Sequence, residues 1–103
     1  MKEFSFYFEN YSYRKNASLE RLNLCITPII FNQSVNLIFS EIAFKKYLDE
    51  SNPLFISLLS ELREYVTIYA TFKNHSDSNI ETIDIEDVEK IMNSSHYSLI
   101  LRN

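Results

Sequence analysis

The chain has no glycine among its 103 residues. That absence removes several classes of chemistry. A P-loop, a dinucleotide-binding GxGxxG turn and a GxSxG nucleophile elbow all need backbone that glycine adopts cheaply. It also hands any left-handed turn position to Asn or Asp. Ten Asn residues are there to take it, with Asn16, Asn74 and Asn93 at places where turns are expected. Tryptophan is absent too, and there are two prolines. The one cysteine, Cys25, excludes an internal disulfide and points to the cytosol. No CxxC or HxxxH spacing occurs, and His75 and His96 stand alone, so no metal or cofactor is expected.

Long hydrophobic runs are missing as well. The longest uncharged stretch, Leu22 to Ser40, carries Asn23, Thr27, Pro28, Asn32, Gln33, Ser34 and Asn36, so neither a membrane span nor a membrane partner is expected. The first residues show no export signal, because Glu3 and Glu9 interrupt them.

What is present is a globular composition. Apolar residues make up 46% and charged residues 23%, so a single α+β domain over 1–103 with one core is expected. Aromatic content of 15% is high and comes from eight Phe and seven Tyr. Phe, Tyr, Met, Ile, Asn and Lys, whose codons are AT-rich, account for 45 residues. Such coding is common in low-GC bacteria, their phages and their mobile elements.

The pattern reads as β-β-α-α-β-α-β. Residues 3–13 alternate and contain six rings in "FSFYFENYSY". Phe4, Phe6 and Phe8 are expected to face helices, with Ser5, Tyr7 and Glu9 facing away. A bulge near Asn10 would then turn Tyr11 and Tyr13 inward, the alternative being an exposed Tyr-rich binding face. After a polar loop at 14–18, Leu22, Leu24 and Ile26 alternate as a second strand ending at Pro28, paired antiparallel with the first. Ser34 reads as the N-cap of a helix near 35–50 with Val35, Ile38, Phe39 and Ile42 inward. Asn52-Pro53 opens another, with Phe55, Leu58, Leu59 and Leu62 at helical spacing. Residues 65–72 form a third strand with Val66, Ile68, Ala70 and Phe72 on one face. Asp84 caps a short helix striped by Ile85, Val88, Ile91 and Met92, with Asp87 in a capping-box position, and 96–102 is the last strand. Hairpin strands and separate helices suggest a mostly antiparallel sheet with the helices on one face.

Charge is unevenly spread. Residues 1–46 carry a net +2 and residues 47–103 a net −6. Between Asn74 and Glu89 stand six acids and no base: Asp77, Glu81, Asp84, Glu86, Asp87 and Glu89. An EF-hand is excluded, since the glycine is missing and Val88 occupies the bidentate position. Two readings stay open: acids solvating a loop and a helix N-terminus, or a recognition surface imitating phosphates toward a basic protein.

Catalytic machinery is not evident. Cys25 reads as a small buried apolar group, and Glu61 with Glu64 as a solvated face. The expectation is therefore a small acidic cytosolic inhibitor, not an enzyme, monomeric or a homodimer. Its partner would be a basic-surfaced protein such as a nuclease, met by the six acids and by Tyr7. Phage inhibitors of host defence, anti-CRISPR proteins and toxin-immunity proteins are often chains of this size and charge. The alternatives are a self-assembling interaction module, or a nucleic-acid-binding regulator using Arg14, Lys15 and Arg21. Direct nucleic-acid binding is disfavoured by a pI near 5.1.

Overall fold

The computed structural model describes residues 2–10, 17–45, 57, 60–61, 64–73 and 80–102. In chain order the elements are β1 (Glu3–Phe8), α1 (Ala17–Ile30), β2 (Ser34–Phe39), α2 (Glu41–Phe44), β3 (Val66–Ala70), β4 (Glu81–Thr82), α3 (Ile85–Ser94) and β5 (Tyr97–Leu101). The strands form one sheet in the order β4-β3-β2-β1-β5, and every pairing is parallel.

The expected antiparallel α+β sheet is thus replaced by an α/β fold. The correction begins at residues 22–27, which lie in α1 and not in a strand. Leu22, Leu24 and Ile26 alternate, but Cys25, Ile26 and Ile29 also recur at helical spacing, and these are the ones that reach the core. Leu24 is left exposed. Pro28 sits in the last turn of α1, where its missing N–H frees one carbonyl near an exposed helix end. With a helix between them, β1 and β2 lie parallel, since residues 9–33 give the long crossover such a pair requires.

The second correction falls on residues 34–39. Ser34 does not cap a helix; it opens β2. Val35, Leu37, Ile38 and Phe39 are all fully buried, because a central strand of a parallel sheet is covered on both faces. Such a run has no alternation to betray it, and its i, i+3, i+4 subset looks helical. The helix begins at Ser40 instead, whose Oγ accepts from the Ala43 N–H at 3.2 Å.

The helices cover both faces of the sheet, not one. On one face Cys25, Ile26 and Ile29 of α1 and Ala43 of α2 pack on Phe6, Phe8, Leu37, Phe39, Ile68 and Ala70. Phe8 and Phe39 stack there with ring centres 4.7 Å apart and planes 16° from parallel. On the other face Val88, Ile91 and Met92 of α3 pack on Tyr7, Ile38 and Tyr69. Phe4, Phe6 and Phe8 do face helices as expected, but Tyr7 is buried beneath a second layer.

Beyond β1, which covers 3–8 of the expected strand, three elements match the sequence reading: β3, with Val66, Ile68 and Ala70 buried on one face; α3, although Ile85 of its expected apolar stripe is exposed; and β5. The only positive φ among the described residues belongs to Asn32, at 59°, just past the end of α1. An asparagine therefore takes a left-handed position here, though not at the sites first expected. Tyr11, Tyr13, Asn74 and residues 14–16 of the loop expected at 14–18 lie outside the described residues, while Ala17 and Ser18 of that loop open α1 instead. So do Pro53, Phe55, Leu58, Leu59 and Leu62 of the expected second helix, of which Ser57, Ser60 and Glu61 are described as helical and exposed.

Candidate functional site

Cys25 faces the core from α1 and is fully buried. Burial pushes its thiol up to about 12, against a small opposing effect of the Arg21 guanidinium. A thiol so held is protonated at neutral pH and is a poor nucleophile. Among the described residues no group of three His, Cys, Asp or Glu side chains could hold a metal ion.

In an open parallel sheet, ligands usually bind beyond the carboxyl ends of the strands, where the strand order reverses. Here that point lies between β1 and β5, beside Glu9, Asn10 and Arg102. Most of the described polar groups at this edge are tied to one another, while Arg21 Nη1 is buried with no hydrogen-bond partner among the described residues. Ser40 Oγ donates to the Glu9 carbonyl at 2.8 Å, and the Thr71 N–H to the Phe39 carbonyl at 3.0 Å. Arg102 Nε pairs with the Glu9 carboxylate at 3.3 Å, and Arg21 Nη2 donates to the Arg102 carbonyl at 2.6 Å. These contacts fasten α1, β1 and β5 together. Arg21 is half-buried in that role, while Arg14 and Lys15 of the expected basic patch lie outside the described residues.

The acidic segment is arranged around β4 and α3. Glu81 opens β4; Asp84, Glu86 and Glu89 are exposed on and before α3; none of the four is in an ion pair among the described residues. Asp87 differs from them. It is half-buried, and its carboxylate accepts from the Asp84 N–H at 3.2 Å, one arm of a capping box. Acids here also complement the positive end of the helix dipole. Asp77 lies outside the described residues. The structure therefore leaves Glu81, Asp84, Glu86 and Glu89 exposed along the β4–α3 segment, the acidic ridge of this chain, with Glu89 also lining the space beside β5, and assigns Asp87 to helix capping. Tyr7 does not join them. It is buried in the core, where burial and then Glu9 push its phenol up, partly offset by a hydrogen bond with Thr71. Tyr69 is raised likewise, by burial first and then by Glu81 and Glu3.

A second feature was not foreseen from the sequence. Two open clefts flank β5, one on each face of the sheet. On the α1 side a cleft of about 520 Å³ is lined by Phe4, Phe6, Leu24, Phe31, Tyr97 and Leu99. On the α3 side a cleft of about 570 Å³ is lined by Ile85, Met92, Glu89, Ser98 and Ile100, with Tyr7 at its floor. The signal for them was the last strand itself, "YSLIL", which carries no charge and no proline.

No family model matches the chain, and no curated protein does. Among solved structures the chain is similar to the one described as "Crystal structure of ychN protein from E.coli", with a TM-score of 0.72 over 98% of this chain and 100% of that one. The two are 13% identical in sequence, and at that identity the likeness concerns the fold.

Proposed function

We propose that this chain is a small cytosolic protein-binding inhibitor, not an enzyme, whose partner presents a basic surface of the kind found on nucleases and other nucleic-acid-handling proteins. One observation carries the reading: Glu81, Asp84, Glu86 and Glu89 stand exposed on β4, α3 and the link between them, with no cation paired to them among the described residues. Unpaired carboxylates on a fixed frame project a field that steers a basic partner and fixes its orientation. The buried Cys25 thiol and the internally tied groups at the carboxyl edge give additional support, since they offer no nucleophile.

The test uses two matched baits, the wild-type chain and Glu81→Lys/Glu86→Lys, which leaves the Asp84–Asp87 cap intact. Lysate from a low-GC bacterium is passed over each at about 50 mM salt and eluted toward 500 mM, a range that shortens the Debye length from about 14 to 4 Å. Basic nucleic-acid-handling proteins retained by the wild type and lost by the variant are expected. Identical retained sets on the two baits would overturn the reading.

A further inference from the structure

We propose that two copies of this chain associate through β5, edge to edge and antiparallel, so that the sheet continues across a two-fold axis near Leu99. This goes beyond the electrostatic reading and does not depend on it.

The two edges of the sheet are built differently. β4 is two residues long and carries Glu81, and a short charged strand is how natural sheets avoid unwanted pairing. β5 is five residues long and has neither charge nor proline. Its inner side is occupied by β1. The Glu9 N–H donates to the Leu101 carbonyl at 3.1 Å, and with Phe4 paired to Tyr97 and Phe8 to Leu101 the alternation of a parallel ladder turns the amides of Tyr97, Leu99 and Leu101 toward β1 and those of Ser98 and Ile100 outward.

Exposed apolar side chains collect around this edge. Eight large ones are exposed among the described residues, and five of them line the two clefts beside β5: Leu24, Phe31 and Tyr97 on the α1 side, Ile85 and Ile100 on the α3 side. Their fractional exposures run from 43% to 68%. At about 200 Å² for a large side chain, they leave roughly 550 Å² open. A stable interface covers about 800 Å² per partner. The strand backbone and the polar rim of the clefts supply area of the missing order.

A second copy fits this edge geometrically. α3 packs over β1 and β5. Strands lie about 4.8 Å apart, so the α3 axis stands about 5 Å inside the seam. The two-fold then sets α3 and its copy about 10 Å apart, the outer limit of normal helix packing. Because the axis is perpendicular to the sheet, each cleft meets its own copy, and the contact is self-complementary. Glu89 is the one charged side chain lining the α3-side cleft, and it approaches its copy there. The seam is therefore apolar with a like-charge brake. Added salt tightens it, the opposite of what salt does to recognition by the acidic ridge.

Sedimentation equilibrium on the full chain, from about 5 to 500 μM, tests this. The expected result is a monomer–dimer equilibrium that tightens between about 50 and 500 mM salt and with Glu89→Gln. Ile100→Lys, an edge charge of the kind natural sheets use, is expected to weaken it by about 100-fold while circular dichroism is unchanged. A monomer at every concentration, a dimer that salt loosens, or a dimer that a folded Ile100→Lys leaves intact would overturn the proposal. Amide exchange on the wild-type chain gives a readout free of variants. Slowing of the Ser98 and Ile100 amides with rising concentration supports the seam, and concentration-independent exchange refutes it. None of these outcomes bears on the capture experiment with Glu81→Lys/Glu86→Lys, which alone decides the acidic-ridge reading.

Discussion

Asn36 Nδ2 donates a hydrogen bond to Ser5 Oγ at 3.0 Å, across the central β2–β1 pair and under α3. Both residues are buried, Ser5 completely. Ser5 Oγ also meets Ser95 Oγ at 2.5 Å, and Ser95 Oγ donates to the Ile91 carbonyl at 2.6 Å. A short polar chain therefore runs from the middle of the sheet to the end of α3. It sits beside the apolar contacts of Tyr7, Ile38 and Val88 and sets where α3 ends above β5.

Ser5→Ala is expected to destabilise the fold by ~1–3 kcal/mol, because it strands a buried amide of Asn36. Asn36→Leu alone leaves the Ser95 contact in place and costs less. Combined, the two substitutions should cost less than their sum, since a paired polar group replaced on both sides can be nearly neutral. Urea denaturation of the four chains in the cycle measures the coupling. Additive losses would show that the two side chains act separately.

Cys25 yields a prediction in pH. Its thiol is raised to about 12 from an ordinary value of 9.0, chiefly by burial. A group raised in the folded state holds its proton more tightly folded than unfolded. Its contribution is complete below about pH 9 and drains as pH climbs through about 12, by up to ~4 kcal/mol over the window. Cys25→Ala removes that titration. The variant's stability should fall less steeply than the wild type's between pH 9 and 11. Alkylation of the native thiol at neutral pH should proceed only as fast as the chain opens. Equal slopes, or alkylation at the rate of a free thiol, would contradict the burial.

Legibility in the sequence followed how many faces each element buries. β3 was readable because Thr67 is exposed and Tyr69 half-buried between the buried Val66, Ile68 and Ala70. α3 was readable because one stripe is apolar and the rest is charged. β2 was not, because both of its faces are buried and Ser34 resembles a cap. α1 was misread because two periodicities coexist in "LNLCITPII", and the exposed Leu24 and Ile30 feed the wrong one. That single misreading also reversed the sheet, since a strand at 22–27 implies a hairpin and a helix there implies a parallel crossover. The acidic ridge was legible as charge, but the division of labour within it was not. Asp87 and Glu86 are chemically alike in a sequence, and only the backbone geometry shows which one caps the helix. The β5 clefts stayed hidden because exposure depends on how far α1 and α3 reach across the sheet.

That division can be measured. Asp87→Ala is expected to cost about 1 kcal/mol through the lost contact with the Asp84 N–H and the lost charge in the first turn. Glu89→Gln, one turn further on and exposed, should stay within about 0.5 kcal/mol. Thermal unfolding, read at a fixed low protein concentration so that association does not contribute, compares them. Equal effects would mean that Asp87 is as solvated as the rest.

The end of α1 offers the sharpest test of how a chain without glycine turns. The Gln33 N–H donates to the Pro28 carbonyl at 3.1 Å and the Asn32 N–H to the Ile29 carbonyl at 3.0 Å, the two bonds of a Schellman closure. That closure needs a left-handed residue at Asn32, whose φ is 59°. Glycine is the usual occupant, and asparagine the best substitute, because its short polar side chain eases the clash of Cβ with the backbone. Asn32→Ala is therefore expected to destabilise the fold by about 1 kcal/mol, and a β-branched residue such as Val by more. Asn32→Gly relieves the clash but loosens the unfolded chain, so it should fall between neutral and about 1 kcal/mol stabilising. Asn32 is exposed and outside the core, so packing loss cannot produce this order. If Asn32→Ala proves as stable as Asn32→Gly in urea denaturation, the left-handed closure of α1 is wrong, and with it the way β2 is delivered into the sheet beside β1.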